Sequence, residues 1–480
     1  MKRTKIISTI GPASENKETL EELIRSGMNL ARLNLSHGTH SEQRQRIKHI
    51  REISQRLGKQ IGIIADIQGP KIRLGELAEE HIHLKDGKEV ILTSQELLGT
   101  EQKLTVRYPS LASDIIPGQQ ILIDDGLIVL TVERVEGQDV HCRVDTGGIL
   151  SAHKGVSLPK VRVQLPAITE KDRADIAFAL KEGVEYLAIS FVRQAEHLRE
   201  IKKLVKQLGG HASIIAKIEN LEGVEQLEQI IQAADAVMVA RGDLGVELPP
   251  EEVPLLQQSI VQKCRRAGKP VIIATQMLES MVHNPRPTRA EVNDVAYAVL
   301  QAVDAVMLSG ETAVGSFPVQ AVEVMGKVID RTESALNWGE LLSNCQCKAA
   351  SSLSIADAIS RATCESAYDL GAKAILSSTQ SGSTARMVAK YRPRAVIIAA
   401  SQNPLVARKL SLVWGVYPVV VPHADNVDTM LDVVVEAALK SGLVKKGDLT
   451  AITGGVKTGI AGSTNLLKIH YLGEERSHLQ

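Results

Sequence analysis

Eight short apolar runs, each separated from the next by a stretch with helical periodicity, constrain this chain more than any other feature. They are Lys5 to Ile10, Asn29 to Leu33, Ile61 to Ala65, Val184 to Ile189, Ser213 to Ile218, Ala236 to Ala240, Val271 to Ala274 and Ala305 to Leu308. Strand-length runs that are apolar throughout are buried on both faces, as in parallel sheets covered by helices. The intervening stretches, such as Glu18 to Ser26 and Arg44 to Arg56, carry the amphipathic pattern of covering helices. Eight βα units in series predict a closed (β/α)₈ barrel. DAVMVARGDLG (235 to 245) and DAVMLSGETAVG (304 to 315) repeat a strand followed by a Gly-acid turn, which marks two strand ends.

The series is interrupted once and then followed by something different. From Leu74 to Val161 short alternating segments (His81 to Leu84, Glu89 to Leu92, Gln120 to Ile123, Leu127 to Val135, Val140 to Val144) are divided by Asp86-Gly87, Pro117-Gly118, Asp125-Gly126 and Gly147-Gly148. Alternation with turn dipeptides predicts a small antiparallel β-barrel domain, inserted at the end of the third strand and so positioned as a lid. After a connection at Asn337 to Ser352, runs at Ala374 to Ser377, Ala395 to Ala400, Tyr417 to Val421, Leu449 to Thr453 and Leu467 to Leu472 alternate with helical patterns. They predict an open α/β sheet with a paired final segment. The domains are therefore expected at 1–73 with 162–336, at 74–161 and at 337–480.

Composition excludes several functions. Lys plus Arg and Asp plus Glu both number 56, so no overall field draws the chain to nucleic acid or to an anionic membrane. Aromatic residues are only 2% of the 480, which leaves few surfaces on which bases could stack. Five cysteines without paired spacing fit neither a disulfide framework nor structural zinc, and suggest a reducing, cytoplasmic setting. The N-terminal apolar stretch is cut short by Gly11-Pro12, so no signal peptide is expected, and no run of about 18 apolar residues suggests a membrane span.

In such barrels the chemistry collects at the C-terminal ends of the strands. Those ends carry Arg32, Asn34, Ser36 and His37, then Asp66 and Arg73, then Ser190, Phe191 and Arg193. Lys217 and Glu219 follow, then Arg241, Gly242 and Asp243, then Thr275 and Gln276, and last Ser309 and Glu311. Charges of both signs at one rim suggest a metal and an anion, although structural ion pairs would account for the same residues. Glu219 and Asp243 lie on neighbouring strands, and two carboxylates plus substrate oxygens are a usual way to hold Mg²⁺. Lys217 among further cations suits charge stabilisation of a transferring phosphoryl group better than proton abstraction.

ARLNLSHG (31 to 38), DIQGPKIR (66 to 73), KGVSLP (154 to 159), LAISFVR (187 to 193), AKIEN (216 to 220), MVARGDLGVE (238 to 247), ATQMLESM (274 to 281), PTRAEVNDVA (287 to 296) and MLSGETAVG (307 to 315) together resemble the pyruvate kinase family. The resemblance runs in order from Thr4 to about Leu472. It implies transfer of the phosphoryl group of phosphoenolpyruvate to ADP, giving pyruvate and ATP, by a phosphotransferase acting as a homotetramer. It implies that Lys217 neutralises the transferring phosphoryl and that Glu219 and Asp243 hold Mg²⁺ or Mn²⁺. It places phosphoenolpyruvate on Arg32, Gly242 and Thr275, with Arg73 on phosphate, and makes Thr275 and Ser309 candidates for protonating the enolate. Asn34, Ser36, His37, Arg73 and Lys154 correspond to the nucleotide side.

One departure concerns the monovalent cation. Potassium-dependent members carry Thr-Lys-Gly-Pro-Glu where this chain has Ile67, Gln68, Gly69, Pro70 and Lys71. Ile67 offers no side-chain oxygen, and the Lys71 ammonium can supply the positive charge itself. Activity without K⁺ is expected, with Asn34, Ser36 and Asp66 left as an incomplete shell. In the C-terminal domain Thr379, Ser381, Gly382, Ser383 and Thr384, together with Lys457 on a glycine-rich loop, correspond to the family's sugar-phosphate effector site. The family's extra C-terminal phosphotransfer-like domain is not expected after Gln480. A barrel lyase or aldolase acting on phosphoenolpyruvate or pyruvate is the alternative reading of the rim, and a phosphometabolite sensor is a third.

Overall fold

A computed structural model describes residues 2–344, 354–424, 426–455 and 464–473. Its eight parallel strands are β1 (Lys5–Thr9), β2 (Leu30–Asn34), β3 (Gly62–Ile67), β4 (Tyr186–Ile189), β5 (Ser213–Ile218), β6 (Ala236–Ala240), β7 (Val271–Ala274) and β8 (Ala305–Leu308). They close into a barrel as β1 pairs with β8, Lys5 opposite Ala305. The expected (β/α)₈ architecture is what the chain forms.

Alternate residues divide between two cores, as the two-residue period of a strand requires. Ile7, Leu30, Ile64, Ala188, Ile215, Met238, Ile272 and Met307 fill the barrel interior. Their neighbours in sequence, among them Ile6, Ala31, Ile63, Leu187, Ile214, Val237, Ile273 and Val306, pack instead with the apolar faces of the surrounding helices. Those helices start where the sequence supplies caps. Thr39 with Glu42, Thr169 with Asp172 and Thr288 with Glu291 each form a reciprocal capping box.

The insertion differs in detail from the expected antiparallel barrel. Its strands form one six-stranded sheet in the order Val156–Ser157, Gln120–Ile123, Ile128–Glu136, Asp139–Thr146, Glu89–Thr93, Lys103–Thr105, and a two-stranded sheet of His81–Leu84 with Gly148–Ser151. The last pair of the larger sheet is parallel. Its own apolar core, from Ile72 to Leu158, makes it a body separate from the barrel.

The C-terminal sheet runs Val416–Val420, Val396–Ser401, Ala374–Ser378, Leu449–Gly455, Thr464–Tyr471, parallel except for its last, antiparallel pair. Trp338–Asn344, expected as plain connection, is a short helix, with the Trp338 ring 6.2 Å from that of Trp414. The domain is bolted to the bottom of the barrel by buried charge. Arg392 donates to Asp304 at 2.7 Å, and Arg408 and Arg51 converge on Glu185 at 2.6 and 2.8 Å. No helix among the described residues is long and apolar enough to cross a membrane.

Candidate active site

Strand parity carries the inward-facing layer up to the C-terminal rim. On β1 to β5 the inward positions near the rim include Thr9, Arg32, Asp66, Ser190 and Lys217, in register with Ile7, Leu30, Ile64, Ala188 and Ile215 below them. These five side chains form one connected network. Arg32 donates through Nη1 to Thr9 Oγ1 (3.0 Å) and through Nε to Asp66 Oδ2 (2.7 Å). Lys217 Nζ donates to Asp66 Oδ1 at 3.2 Å and to Ser190 Oγ at 2.7 Å, and lies 2.9 Å from Glu219 Oε1. Ser190 Oγ passes its own hydrogen to the carbonyl of Ile67 at 2.8 Å.

The electrostatics follow from this contact list. Burial by itself lowers the pKa of Lys217, but Asp66 and Glu219 outweigh it and raise the pKa above its ordinary value, which favours the charged ammonium. For Asp66, burial again opposes charge, and Lys217 and Arg32 prevail and hold the carboxyl below its ordinary value. Glu219 is held above its ordinary value by burial, with the like charge of Asp243 adding to it. Its Oε2 accepts the Phe191 N–H at 2.6 Å, which Phe191 presents by taking a left-handed conformation (φ 54°). That is an uncommon backbone state for an aromatic residue, located at the site itself.

After β6 the chain turns directly into the helix Arg241–Glu247. Arg241 does not face the cleft as an anion ligand. Its guanidinium is spent on Asp294 (2.6 Å) and on the carbonyls of Thr275 and Ala274 at 2.6 and 3.3 Å, which ties the β6 turn to the β7 turn. The Gly242 N–H donates to Thr275 Oγ1 at 2.9 Å, and Thr275 and Gln276 both adopt positive φ, 68° and 54°. At the end of β8 the Ser309 N–H is held by the buried Glu311 carboxylate at 2.6 Å, which also takes the Leu278 N–H at 3.0 Å.

Asp243 is half buried on the first turn of its helix and has no ion pair among the described residues. With Glu219 it lines a cleft of 430 Å³ between barrel and insertion, whose other walls include Lys71, Asp125, Gly155 and Phe191. The donor set fits a divalent cation: two carboxylates share one cleft, and the repulsion between them is part of what raises Glu219. Among the described residues no group of three or more acidic, His or Cys side chains is arranged to hold a metal ion by itself, so ligand oxygens and water would complete the shell.

The residues expected on the nucleotide side divide into two groups. Asn34 ends β2 and Ser36 and His37 lie on the loop that follows, where Asn34 Oδ1 accepts the Ser36 N–H at 3.1 Å and His37 is exposed. Arg73 and Lys154 lie on the stem of the insertion, Arg73 donating to the His153 carbonyl (2.9 Å) and Lys154 paired with Asp124 (2.9 Å). Ile67 belongs to the outer core between barrel and helices, so it faces away from the rim. Lys71 Nζ lies 5.9 Å from the Phe191 ring, beside the cleft.

In the C-terminal domain, Gly382 (φ 81°) opens the helix Ser383–Lys390, and Ser381 is exposed just before it. Thr379 is tied to the Ala400 carbonyl (3.0 Å), and Thr384 shares a hydrogen bond with Thr464 at 2.8 Å. Lys457 lies outside the described residues. In the sequence Ser190 stands at a strand end with nothing to mark its role, and Thr9, Asp294 and Glu247 carry no signal of theirs. The first two need the barrel's parity to be recognised, and Asp294 needs the partner that it holds.

The barrel-domain profile described as "Pyruvate kinase, barrel domain" matches residues 1–322, and "Pyruvate kinase, alpha/beta domain" matches 357–470. The chain belongs to the pyruvate kinase family. A pyruvate kinase of Geobacillus stearothermophilus is 51% identical over 98% of this chain and 81% of its own length. That of Clostridium acetobutylicum is 45% identical over 98% of this chain and 99% of its own. A solved pyruvate kinase structure from Cryptosporidium parvum superposes with a TM-score of 0.94 at 38% identity, covering 98% and 96% of the two chains. Pyruvate kinase activity, with phosphoenolpyruvate and ADP as substrates, pyruvate as product and a divalent metal as cofactor, is what membership of the family supports.

Proposed function

We propose that the β1 to β5 network is the phosphoryl-transfer centre of a phosphotransferase that uses Mg²⁺ or Mn²⁺ and moves the phosphoryl group of phosphoenolpyruvate to ADP. The observation that carries this reading is the buried Lys217 ammonium held between Asp66, Glu219 and Ser190 at the barrel mouth. A cation fixed in a low-dielectric site needs no reorganisation to stabilise charge that spreads over the moving phosphoryl oxygens. The ADP β-phosphate oxygen forms the new bond to phosphorus as the bond to the enol oxygen breaks. Arg32, the Gly242 N–H and the Thr275 hydroxyl hold phosphoenolpyruvate, Arg73 meets phosphate, and Thr275 or Ser309 delivers a proton to the enolate carbon. A bound divalent ion at Glu219 and Asp243 supplies further neutralisation of phosphate and enolate oxygens.

Asn34, Ser36, His37, Arg73 and Lys154 hold ADP, with the insertion closing over them to exclude water. K⁺ is not required, because Lys71 brings a fixed cation to the cleft and Ile67 faces the outer core. Thr379, Ser381, Gly382, Ser383, Thr384 and Lys457 bind a sugar-phosphate or nucleotide effector. As working units, residues 1–73 with 162–336 perform the reaction, 74–161 form the lid and 337–480 the effector domain. A homotetramer in the cytoplasm completes the reading.

The test is pyruvate formation from phosphoenolpyruvate and Mg²⁺ with and without ADP, repeated on Lys154→Ala. Pyruvate production that tracks ADP and collapses in the variant supports the kinase. Release of pyruvate without ADP is the outcome expected of a barrel lyase or aldolase, and would replace the present reading.

A further inference from the structure

The chain crosses between barrel and lid twice, leaving after β3 and returning before the helix Glu170–Lys181, and one carboxylate touches both crossings. Asp172 is fully buried. Its Oδ2 closes the capping box at the return crossing, accepting from the Thr169 N–H and hydroxyl, each at 2.7 Å. A capping box uses only that oxygen. Here Oδ1 is used as well, accepting the Gly69 N–H at 3.1 Å on the departing crossing, 103 positions away in sequence.

Gly69 is itself fixed against the reaction centre. It holds φ +70°, and a Cβ there would meet the Ser190 carbonyl oxygen at 2.9 Å. Ser190 is the residue that receives Lys217. The same helix turn also grips the loop after β2. Lys171 Nζ donates to the Leu35 carbonyl (2.9 Å) and to Asp175 (2.7 Å), while Asp175 hydrogen-bonds His40 at 2.7 Å. Three consecutive-turn residues thus reference the lid and the Asn34 to His37 loop to one rigid helix.

We propose that Asp172 is a positioning residue for the nucleotide half of the reaction: by holding Gly69 and Thr169 together it sets the pivot about which the lid brings Lys154 to ADP. The carboxylate touches no substrate; it acts through the two crossings. A buried acceptor serving three donors is costly to remove, since each N–H left without a partner carries its own desolvation penalty. The inference rests on the assignment of Lys154 to the nucleotide, and its test has one arm that does not.

Asp172→Asn is isosteric but retains a single acceptor oxygen, so it must release one crossing. Thr169→Ala weakens the helix cap while leaving the Gly69 link. In Asp172→Asn, hydrogen exchange at the Gly69 amide is expected to rise at least about tenfold, and the ADP KM about five- to tenfold, with the phosphoenolpyruvate KM within about twofold of wild type. Thr169→Ala is expected to lower Tm comparably but to leave the ADP KM and Gly69 exchange near wild type. Equal change in both KM values, an unchanged ADP KM, or reproduction of the effect by Thr169→Ala would overturn the proposal. Should Asp172→Asn fail to fold, Asp172→Ser is read in the same way. Faster Gly69 exchange without any ADP effect would preserve the clamp and refute its link to nucleotide, which separates failure here from failure of the activity itself.

Discussion

Ser190 Oγ sits between Lys217 Nζ at 2.7 Å and the Ile67 carbonyl at 2.8 Å, so the ammonium is held by the neighbouring strand as well as by its own carboxylate partners. A cation fixed from several directions keeps its place while the charge opposite it moves. Lys217→Met should therefore lower kcat by at least about 10³, roughly 4 kcal/mol, and Ser190→Ala by about tenfold, or about 1.4 kcal/mol. Turnover by coupled assay measures both, and near-native rates in the methionine variant would remove Lys217 from the reaction.

Metal binding should separate from this effect. Glu219→Gln and Asp243→Asn should each weaken Mn²⁺ binding at least tenfold, read by electron paramagnetic resonance of free Mn²⁺ without any turnover. Lys217→Met should not, since it removes a competing cation beside Glu219. Wild-type Mn²⁺ affinity in both carboxylate variants would place the ion elsewhere.

Replacing KCl with tetramethylammonium chloride should change kcat/KM less than about twofold. The physical reason is that Ile67 faces the outer core and Lys71 stands beside the cleft. Activation by K⁺ of more than about tenfold, about 1.4 kcal/mol of transition-state stabilisation, would count against it.

Glu247 provides a pH prediction for the metal-free protein. Burial, only partly offset by the Leu221 N–H that it accepts, pushes its carboxyl up to about 7. The folded state therefore holds this proton more tightly than the unfolded chain. The associated stability is fully present below the unfolded value of about 4.3 and is lost as pH rises to about 7, with no further change above. In EDTA, Tm of Glu247→Gln relative to wild type should climb across that window and then level off. Parallel Tm curves for the two proteins would show that Glu247 does not titrate there.

The barrel was legible because its strands are buried on both faces, and β5 to β8 begin and end where the apolar runs do. Lys103–Thr105 and Val156–Ser157 were not legible because two or three residues are too few to establish alternation, and Gly148–Ser151 because its start coincides with the Gly147-Gly148 turn signal. Strand ends were enough to collect Lys217, Glu219 and Asp243, whereas Thr9 and Ser190 acquire meaning only when closure places five strands' inward layers at one height. The left-handed Phe191 and Thr275 could not be anticipated, since nothing marks a non-glycine residue that the surroundings force to positive φ. Asp172 presents itself as an ordinary helix start, and its second oxygen is explained only by a residue in another βα unit.

The pairing of β1 with β8 has a consequence for how the molecule is made. Lys5 cannot meet Ala305 until some 300 intervening residues have left the ribosome, which at about 5–20 residues per second takes roughly 15–60 s. Throughout that interval the first strand has an unmatched hydrogen-bonding edge, while the insertion, with all of its strands between His81 and Ser157, can complete its own sheets. The nascent chain thus has every strand of its insertion in hand before its barrel can close.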